Sequence, residues 1–208
     1  MSLKSFLGKW RLCDNKSILA IDEIGETYKC TWRISSDGYE NEYLGIGMLI
    51  NNKIFVSKFS KNVPKGGIGI YNSINNFRYI SSSWASTQNF GVLGSGFAYK
   101  KDMNKEFKGD YKIKYFIKEN QSQIYDLNIR KSVNDKAYSL KWSIDEEEKL
   151  HGLGIVDNGT MILAWGEIEF KYELVILNIE KDCKLRAKYI LLENNILEEI
   201  YIKHWFKL

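Results

Sequence analysis

The chain has 208 residues, of which 44% are hydrophobic and 27% charged, with 13 Tyr, 10 Phe and 6 Trp. That composition can bury a core, and it excludes a disordered or collagen-like chain. The net charge is +4, with 13 Lys+Arg against 8 Asp+Glu up to residue 104 and 17 against 18 beyond it. No basic run of the kind that tracks a phosphate backbone is present, so no nucleic-acid partner is expected. The opening Met1-Ser2-Leu3-Lys4-Ser5-Phe6 lacks the apolar segment of a secretory leader. No apolar stretch is long enough to span a bilayer. A cytoplasmic protein without a membrane partner is the expectation. Cys13, Cys30 and Cys183 lack metal-ligand spacing and are expected as free thiols.

In chain order, the first half divides into eight short strands, expected near Gly8–Asp14, Ile18–Glu23, Tyr28–Ile34, Tyr43–Ile50, Lys53–Phe59, Gly67–Ser73, Arg78–Trp84 and Gly91–Tyr99. Period-2 alternation carries this assignment, because successive strand side chains point to opposite faces. Tyr28, Cys30, Trp32 and Ile34 share one face, and Lys29, Thr31 and Arg33 the other. In the second half Tyr111, Ile113, Tyr115 and Ile117 alternate with lysines. Tyr138, Leu140, Trp142 and Ile144 share a face, as do Leu185, Ala187, Tyr189 and Leu191. Ser36-Asp37-Gly38, Asn51-Asn52, Lys65-Gly66-Gly67, Asn75-Asn76, Asp157-Asn158-Gly159 and Asn194-Asn195 supply turn residues that tolerate positive φ. No segment has a helical period.

The two halves match each other in order. Gly8-Lys9-Trp10 returns as Gly109-Asp110-Tyr111, and Tyr28-x3-Trp32-x-Ile34 as Tyr138-x3-Trp142-x-Ile144. Gly45-Ile46-Gly47 returns as Gly152-Leu153-Gly154, and Ile68-x-Ile70-x-Asn72 as Leu174-x-Ile176-x-Asn178. Ile80-x-Ser82-x-Trp84 returns as Leu185-x-Ala187-x-Tyr189, and Phe97-Ala98-Tyr99-Lys100 as Ile200-Tyr201-Ile202-Lys203. Six matches in register point to an internal repeat. The expected organisation is a first β unit over 1–100, a linker over 101–108 and a second β unit over 109–208. The expected fold is all-β: two tandem eight-stranded antiparallel meander units, barrel-like and related by internal duplication. Eight strands close a small barrel, and closure removes exposed edges.

The units, with G-x-[WY], Y-x3-W-x-I, G-x-G and a late L-x-G-x-W-like segment, resemble an uncharacterised family of bacterial β-rich repeat proteins. That resemblance implies architecture and no activity. The second unit departs from it where Tyr189 replaces the late Trp and Leu197-Glu198-Glu199 replaces Gly94-Ser95-Gly96. Gly8-Lys9-Trp10 also resembles the opening strand of the calycin barrels, the lipocalins and avidins. A lipocalin would add an Arg from its last strand against the Trp, and none stands out.

Chemistry-bearing motifs are few. His151, beside Gly152, fits an exposed turn, and His204, in line with Ile200 and Ile202, an inward or end-of-barrel position. Asp145-Glu146-Glu147-Glu148 lacks the spacing of a calcium loop and fits a hairpin tip. Lys65-Gly66-Gly67 fits a flexible turn better than an anion nest. Trp10, Trp32, Trp84, Trp142 and Trp165 are first of all core. The polar run Ser81 to Asn89 around Trp84 mixes hydroxyls and amides with an aromatic wall, which suits a ligand pocket. Trp32, Tyr71, Ser82, Trp84, Thr87 and Asn89 are therefore the candidate ligand-binding residues, in a pocket of the first unit. Leu174, Ile176 and Leu191 are expected to fill the second. No catalytic residue, metal ligand or cofactor is expected, and the partners the sequence allows are a small-molecule ligand and a second copy of the chain. The leading expectation is a non-catalytic binding protein. Its rivals are a structural or interaction module that dimerises through Trp205 and Phe206, and an enzyme using groups such as Asp22, Glu23 or His204.

Overall fold

Alternation along the chain becomes antiparallel strands throughout, with no helix among the described residues of this computed structural model. The structure describes all residues except 1–5, 13–15, 37–38, 63–64, 101–104, 118–119, 133–136, 170, 181–183, 194–195 and 208. The strands are β1 (Gly8–Leu12), β2 (Ser17–Ile24), β3 (Thr27–Ser36), β4 (Tyr39–Ile50), β5 (Lys53–Ser60), β6 (Gly66–Ile74), β7 (Tyr79–Ser86) and β8 (Gly94–Lys100). They continue as β9 (Gly109–Ile117), β10 (Asn120–Lys131), β11 (Tyr138–Ile144), β12 (Glu147–Asp157), β13 (Thr160–Glu167), β14 (Tyr172–Ile179), β15 (Lys184–Glu193) and β16 (Ile196–Lys207). Two-residue turns with positive φ join several of them: Asn51-Asn52, Asp145-Glu146 and Asn158-Gly159. Such turns twist in the same sense as the strands they connect. Cys13, Cys183 and the Asn194-Asn195 turn lie outside the described residues, as does the side chain of His204.

The strands form two eight-stranded antiparallel barrels, as the fold class expected, but the barrels cut across the two sequence units. Barrel I has the ring order β1-β2-β3-β4-β5-β14-β15-β16, and barrel II the order β6-β7-β8-β9-β10-β11-β12-β13. The chain builds β1–β5, crosses at 61–65 into barrel II, completes it, and crosses back at 168–171. Each barrel thus takes five strands from one unit and three from the other. The expected linker at 101–108 joins β8 to β9, which are neighbours inside barrel II, and its residues 101–104 lie outside the described set. Barrel I closes through a short seam, where Trp10, Arg11 and Leu12 pair with Lys207, Phe206 and Trp205.

Corresponding sequence positions occupy corresponding ladder positions. Trp10 faces Leu19, which faces Trp32; Tyr111 faces Leu127, which faces Trp142. Gly45 faces Cys30, and Gly152 faces Leu140. Ring closure corrects one match. Lys100 pairs with Tyr111 and Lys207 with Trp10, so Lys100 corresponds to Lys207, not to Lys203. The slip arises because β16 is longer than β8.

Each barrel has its own core, and a third lies between them. Cys30, Trp32, Ile54, Val56, Val175, Leu177 and Tyr189 belong to barrel I; Leu140, Trp142, Met161, Leu163 and Trp165 belong to barrel II. Phe55, Leu174, Ile190, Ile68, Ile162 and Ala164 pack outside both, where the barrels meet. That explains why β5 and β13 are buried along nearly their whole length: successive side chains go alternately to a barrel interior and to the interface. Leu174 and Ile176 therefore pack between the barrels, in place of the expected filling of the second unit. One end of each barrel is plugged alike. Phe6 and Phe107 are buried four residues before the key ring. Trp10 Nε1 donates to the Phe6 carbonyl (2.8 Å), and the Tyr111 hydroxyl to the Phe107 carbonyl (2.8 Å).

Candidate binding cavity

The end of barrel II opposite Phe107 is open. It holds a cavity of about 200 Å³, enclosed by the first halves of β6, β10 and β12 and the last residues of β7, β9, β11 and β13. Four rings form a continuous edge-to-face wall. Trp165 meets Trp84 at 6.4 Å between centroids, Trp84 meets Tyr115 at 5.8 Å, and Tyr115 meets Tyr125 at 6.1 Å. Such contacts orient aromatic rings and contribute beyond their buried area. Glycines make room for the indoles. A Cβ on Gly94 would lie 2.3 Å from the Trp84 ring, and one on Gly67 2.6 Å from the Trp165 ring.

Inside the wall runs a hydrogen-bonded chain. Trp142 Nε1 donates to the Tyr115 hydroxyl (2.7 Å), which shares a further bond of 2.5 Å with the Tyr71 hydroxyl. Burial pushes the Tyr71 hydroxyl well above the usual phenol range, and the neighbouring Tyr115 adds to this. Burial likewise pushes Tyr115 up. Both phenols therefore keep their protons near neutral pH. At the rim stand Lys65, Gln88 and Asn89, with Ser86 buried beside them.

The rim loop is braced from the other barrel. Glu26 N donates to the Gly91 carbonyl (3.2 Å), and Gly91 N donates to Thr27 Oγ1 (3.0 Å). Gly25, at φ +55°, lets the β2–β3 turn approach so closely that a Cβ there would sit 2.3 Å from the Gly91 oxygen.

Of the candidate residues, Tyr71, Trp84 and Asn89 line this cavity. Ser82 lies below it, buried, its Oγ without a hydrogen-bond partner. Thr87 ties the end of β7 to the start of β6, its Oγ1 accepting from Gly66 N (3.4 Å). Trp32 belongs to barrel I. The cavity is not confined to the first unit: Tyr115, Tyr125, Trp142 and Trp165 come from the second, because β6 and β7 join β9–β13. Alternation marks Tyr115 and Trp142 as inward and Trp165 stands among the expected core tryptophans, whereas the sequence reading passes over Tyr125; only the ring order brings all four to Trp84. His151 is not a turn residue. It sits in β12, half-buried, its ring edge-on to Tyr172 at 5.0 Å. Asp145 and Glu146 do form the β11–β12 hairpin tip, and Gly66-Gly67 open β6. Among the described residues no cluster of His, Cys, Asp and Glu could hold a metal ion. Among the described residues no helix is long and apolar enough to cross a membrane.

At the corresponding end of barrel I an ion pair of the chain itself occupies the interior. Trp165 pairs with Gly152 and Gly67, and in the same ladder position of barrel I Lys58 pairs with Gly45 and Glu173. Lys58 is 4% exposed, and its Nζ donates to Glu173 at 2.8 Å. The ammonium lies 4.4 Å from the Tyr43 ring centroid, 5.2 Å from that of Tyr189 and 5.8 Å from that of Trp32. Trp32 Nε1 donates to the Tyr189 hydroxyl (3.1 Å). No family model, curated protein or solved structure matches the chain.

Proposed function

We propose that this chain is a non-catalytic binding protein that holds a small, mostly apolar molecule in the open end of barrel II. The observation that carries the reading is the contrast at one ladder position. Lys58 and Glu173 occupy the interior of barrel I, whereas the same end of barrel II keeps an aromatic-walled space with a polar rim. An enclosed apolar wall with few polar groups is the usual make-up of a ligand site. In the same reading the two barrels descend from one duplicated unit, and barrel I serves as the brace for the rim loop. The calycin likeness gains support from Lys100, on the strand beside β9. Its ammonium stands 5.5 Å from the Tyr111 ring and donates to the Glu106 carbonyl (2.6 Å), a cation against the ring of the G-x-[WY] motif.

Native mass spectrometry of freshly purified protein tests the proposal. A bound small molecule that Trp84→Ala releases supports it. Retention of the molecule by that variant at unchanged affinity overturns it. A second reading, self-association, draws on the exposed strip of Phe97, Tyr99 and Ile124 on β8 and β10. The same spectra report it as a dimer that Tyr99→Glu dissociates.

A further inference from the structure

The chemistry of the ligand follows from a count of hydrogens inside the cavity. The chain of Trp142, Tyr115 and Tyr71 has three donor hydrogens, one indole N–H and two phenol O–H. It makes two internal bonds. If Tyr115 donates to Tyr71, the Tyr71 hydrogen has no acceptor in the chain; if Tyr71 donates to Tyr115, the Tyr115 hydrogen has none. Either way one phenol hydrogen remains for an acceptor in the space both residues line. A buried donor left unmet costs more than an average hydrogen bond contributes.

Charge selects further. In barrel I the aromatic surroundings of the Lys58 ammonium come with a carboxylate, Glu173. In barrel II the ladder position of Glu173 is held by Gly67. Among the described residues the cavity has no acidic lining group, and Lys65 stands at its rim. The arrangement lacks what steadies a cation and places a positive charge where one would enter. Size sets the last limit. About 200 Å³ exceeds the roughly 150 Å³ that accommodates benzene and falls short of the roughly 300 Å³ at which drug-sized sites begin.

We propose that barrel II takes a planar aromatic molecule of one or two rings, neutral or anionic, that offers an acceptor atom to the Tyr71–Tyr115 pair. This rests on the cavity being a binding site, and the test separates the two claims. Three probes of nearly one shape are titrated into the full chain near neutral pH by ligand-observed NMR: naphthalene without an acceptor, quinoline with a ring-nitrogen acceptor, and N-methylquinolinium, whose methylated ring nitrogen has no lone pair to offer and makes the ring cationic. Quinoline is expected to bind about tenfold more tightly than naphthalene, the scale set by one buried hydroxyl met or unmet, and N-methylquinolinium weakest of the three. Trp84→Ala, which opens the wall, and Leu150→Trp, which fills the space, each locate the site by weakening quinoline about tenfold or more. Either variant decides if the other does not fold. Equal binding of naphthalene and quinoline overturns the acceptor claim and leaves the cavity reading standing. Tightest binding of N-methylquinolinium overturns the charge claim. No binding by any probe overturns the cavity reading, and this inference with it. Quinoline binding unaffected in both folded variants places the site elsewhere and overturns the inference.

Discussion

Barrels I and II share a ladder of side chains and end differently. Trp10, Leu19 and Trp32 line one interior as Tyr111, Leu127 and Trp142 line the other. Then, at one position in the fifth strand of each pattern, barrel I places a lysine and barrel II a tryptophan. The lysine reaches inward to a carboxylate and three rings and occupies the space. The tryptophan lies flat over Gly67 and becomes a wall. One frame thus supports an interior occupied by an ion pair and one that keeps a ring-walled cavity, and the difference rests on a pair of residues facing each other across two strands. The cost of the ion pair is kept low because Lys58 is paired and Glu173 retains partial contact with water. A buried ion without a partner would be strongly destabilising.

The sharpest way to break this comparison is to test which strands belong to which barrel. Thr160 and Asn72 are paired across β13 and β6, with Thr160 Oγ1 donating to Asn72 Oδ1 (3.0 Å). A Thr160→Cys, Asn72→Cys variant is expected to form an intramolecular disulfide, seen by peptide mapping under oxidising conditions. Two self-contained units would keep these strands apart, and no bridge would form.

Next in size is the truncation of the matching tryptophans. Trp32 is fully buried in barrel I, and Trp142 borders the cavity. Trp32→Ala is expected to cost about 4–5 kcal/mol and Trp142→Ala about 3 kcal/mol, within the usual range for large aromatics. Urea melts measure both. Equal costs would mean that the cavity does not relieve packing around Trp142. Arg33→Ala and Lys141→Ala, on exposed faces, should each cost less than about 0.5 kcal/mol.

The bracing contact gives a smaller effect with a specific signature. Gly25→Ala places a methyl group against the Gly91 carbonyl in a left-handed backbone position. A loss of about 1–3 kcal/mol is expected, together with weaker ligand binding in the other barrel. Unchanged affinity at reduced stability would show that barrel I does not support the rim.

The smallest effect is alkaline and begins in barrel I. Burial raises the Cys30 thiol far above its ordinary 9.0, with Asp22 adding to the shift. The folded state therefore holds that proton where the unfolded chain releases it. The Cys30 contribution to stability is therefore expected to be complete below about pH 9 and to fall above it by about 1.4 kcal/mol per pH unit. The buried phenols of barrel II, whose ordinary value is 10.0, join about one unit higher. Cys30→Ala should flatten the stability profile between about pH 9 and 10 in urea melts. A profile identical to that of the parent chain would place water at the thiol.

Much of the local structure was legible in the residues. Strands in the first half fall within a few residues of their expected positions, because period-2 burial and Asn-rich turns are short-range signals. The inward faces of Trp32 and Trp142 were equally plain. The candidate site was half legible. Tyr71 and Trp84 were found as inward aromatics beside small polar residues. Thr87 and Ser82 share the same continuous polar run, but strand pairing sends Thr87 to a tie with Gly66 and Ser82 to the interior. His151 differs from the expected turn because its neighbour Gly152 lies within β12 and makes room for the Trp142 ring, 2.8 Å from where a Gly152 Cβ would lie.

The sequence by itself determined that the chain forms strands, which face of most strands is apolar and where several of the hairpins turn. All of these depend on neighbours within a few residues. Only the tertiary structure decided that β6 pairs with β13 and β14 with β5. Corresponding strands carry the same inward–outward pattern, so the alternation that sets a strand's face is silent about which of two equivalent partners it joins. That choice settled the rest: it brought Trp84 to Trp165 and Tyr115 around the cavity of barrel II, and gave Lys58 its Glu173 inside barrel I.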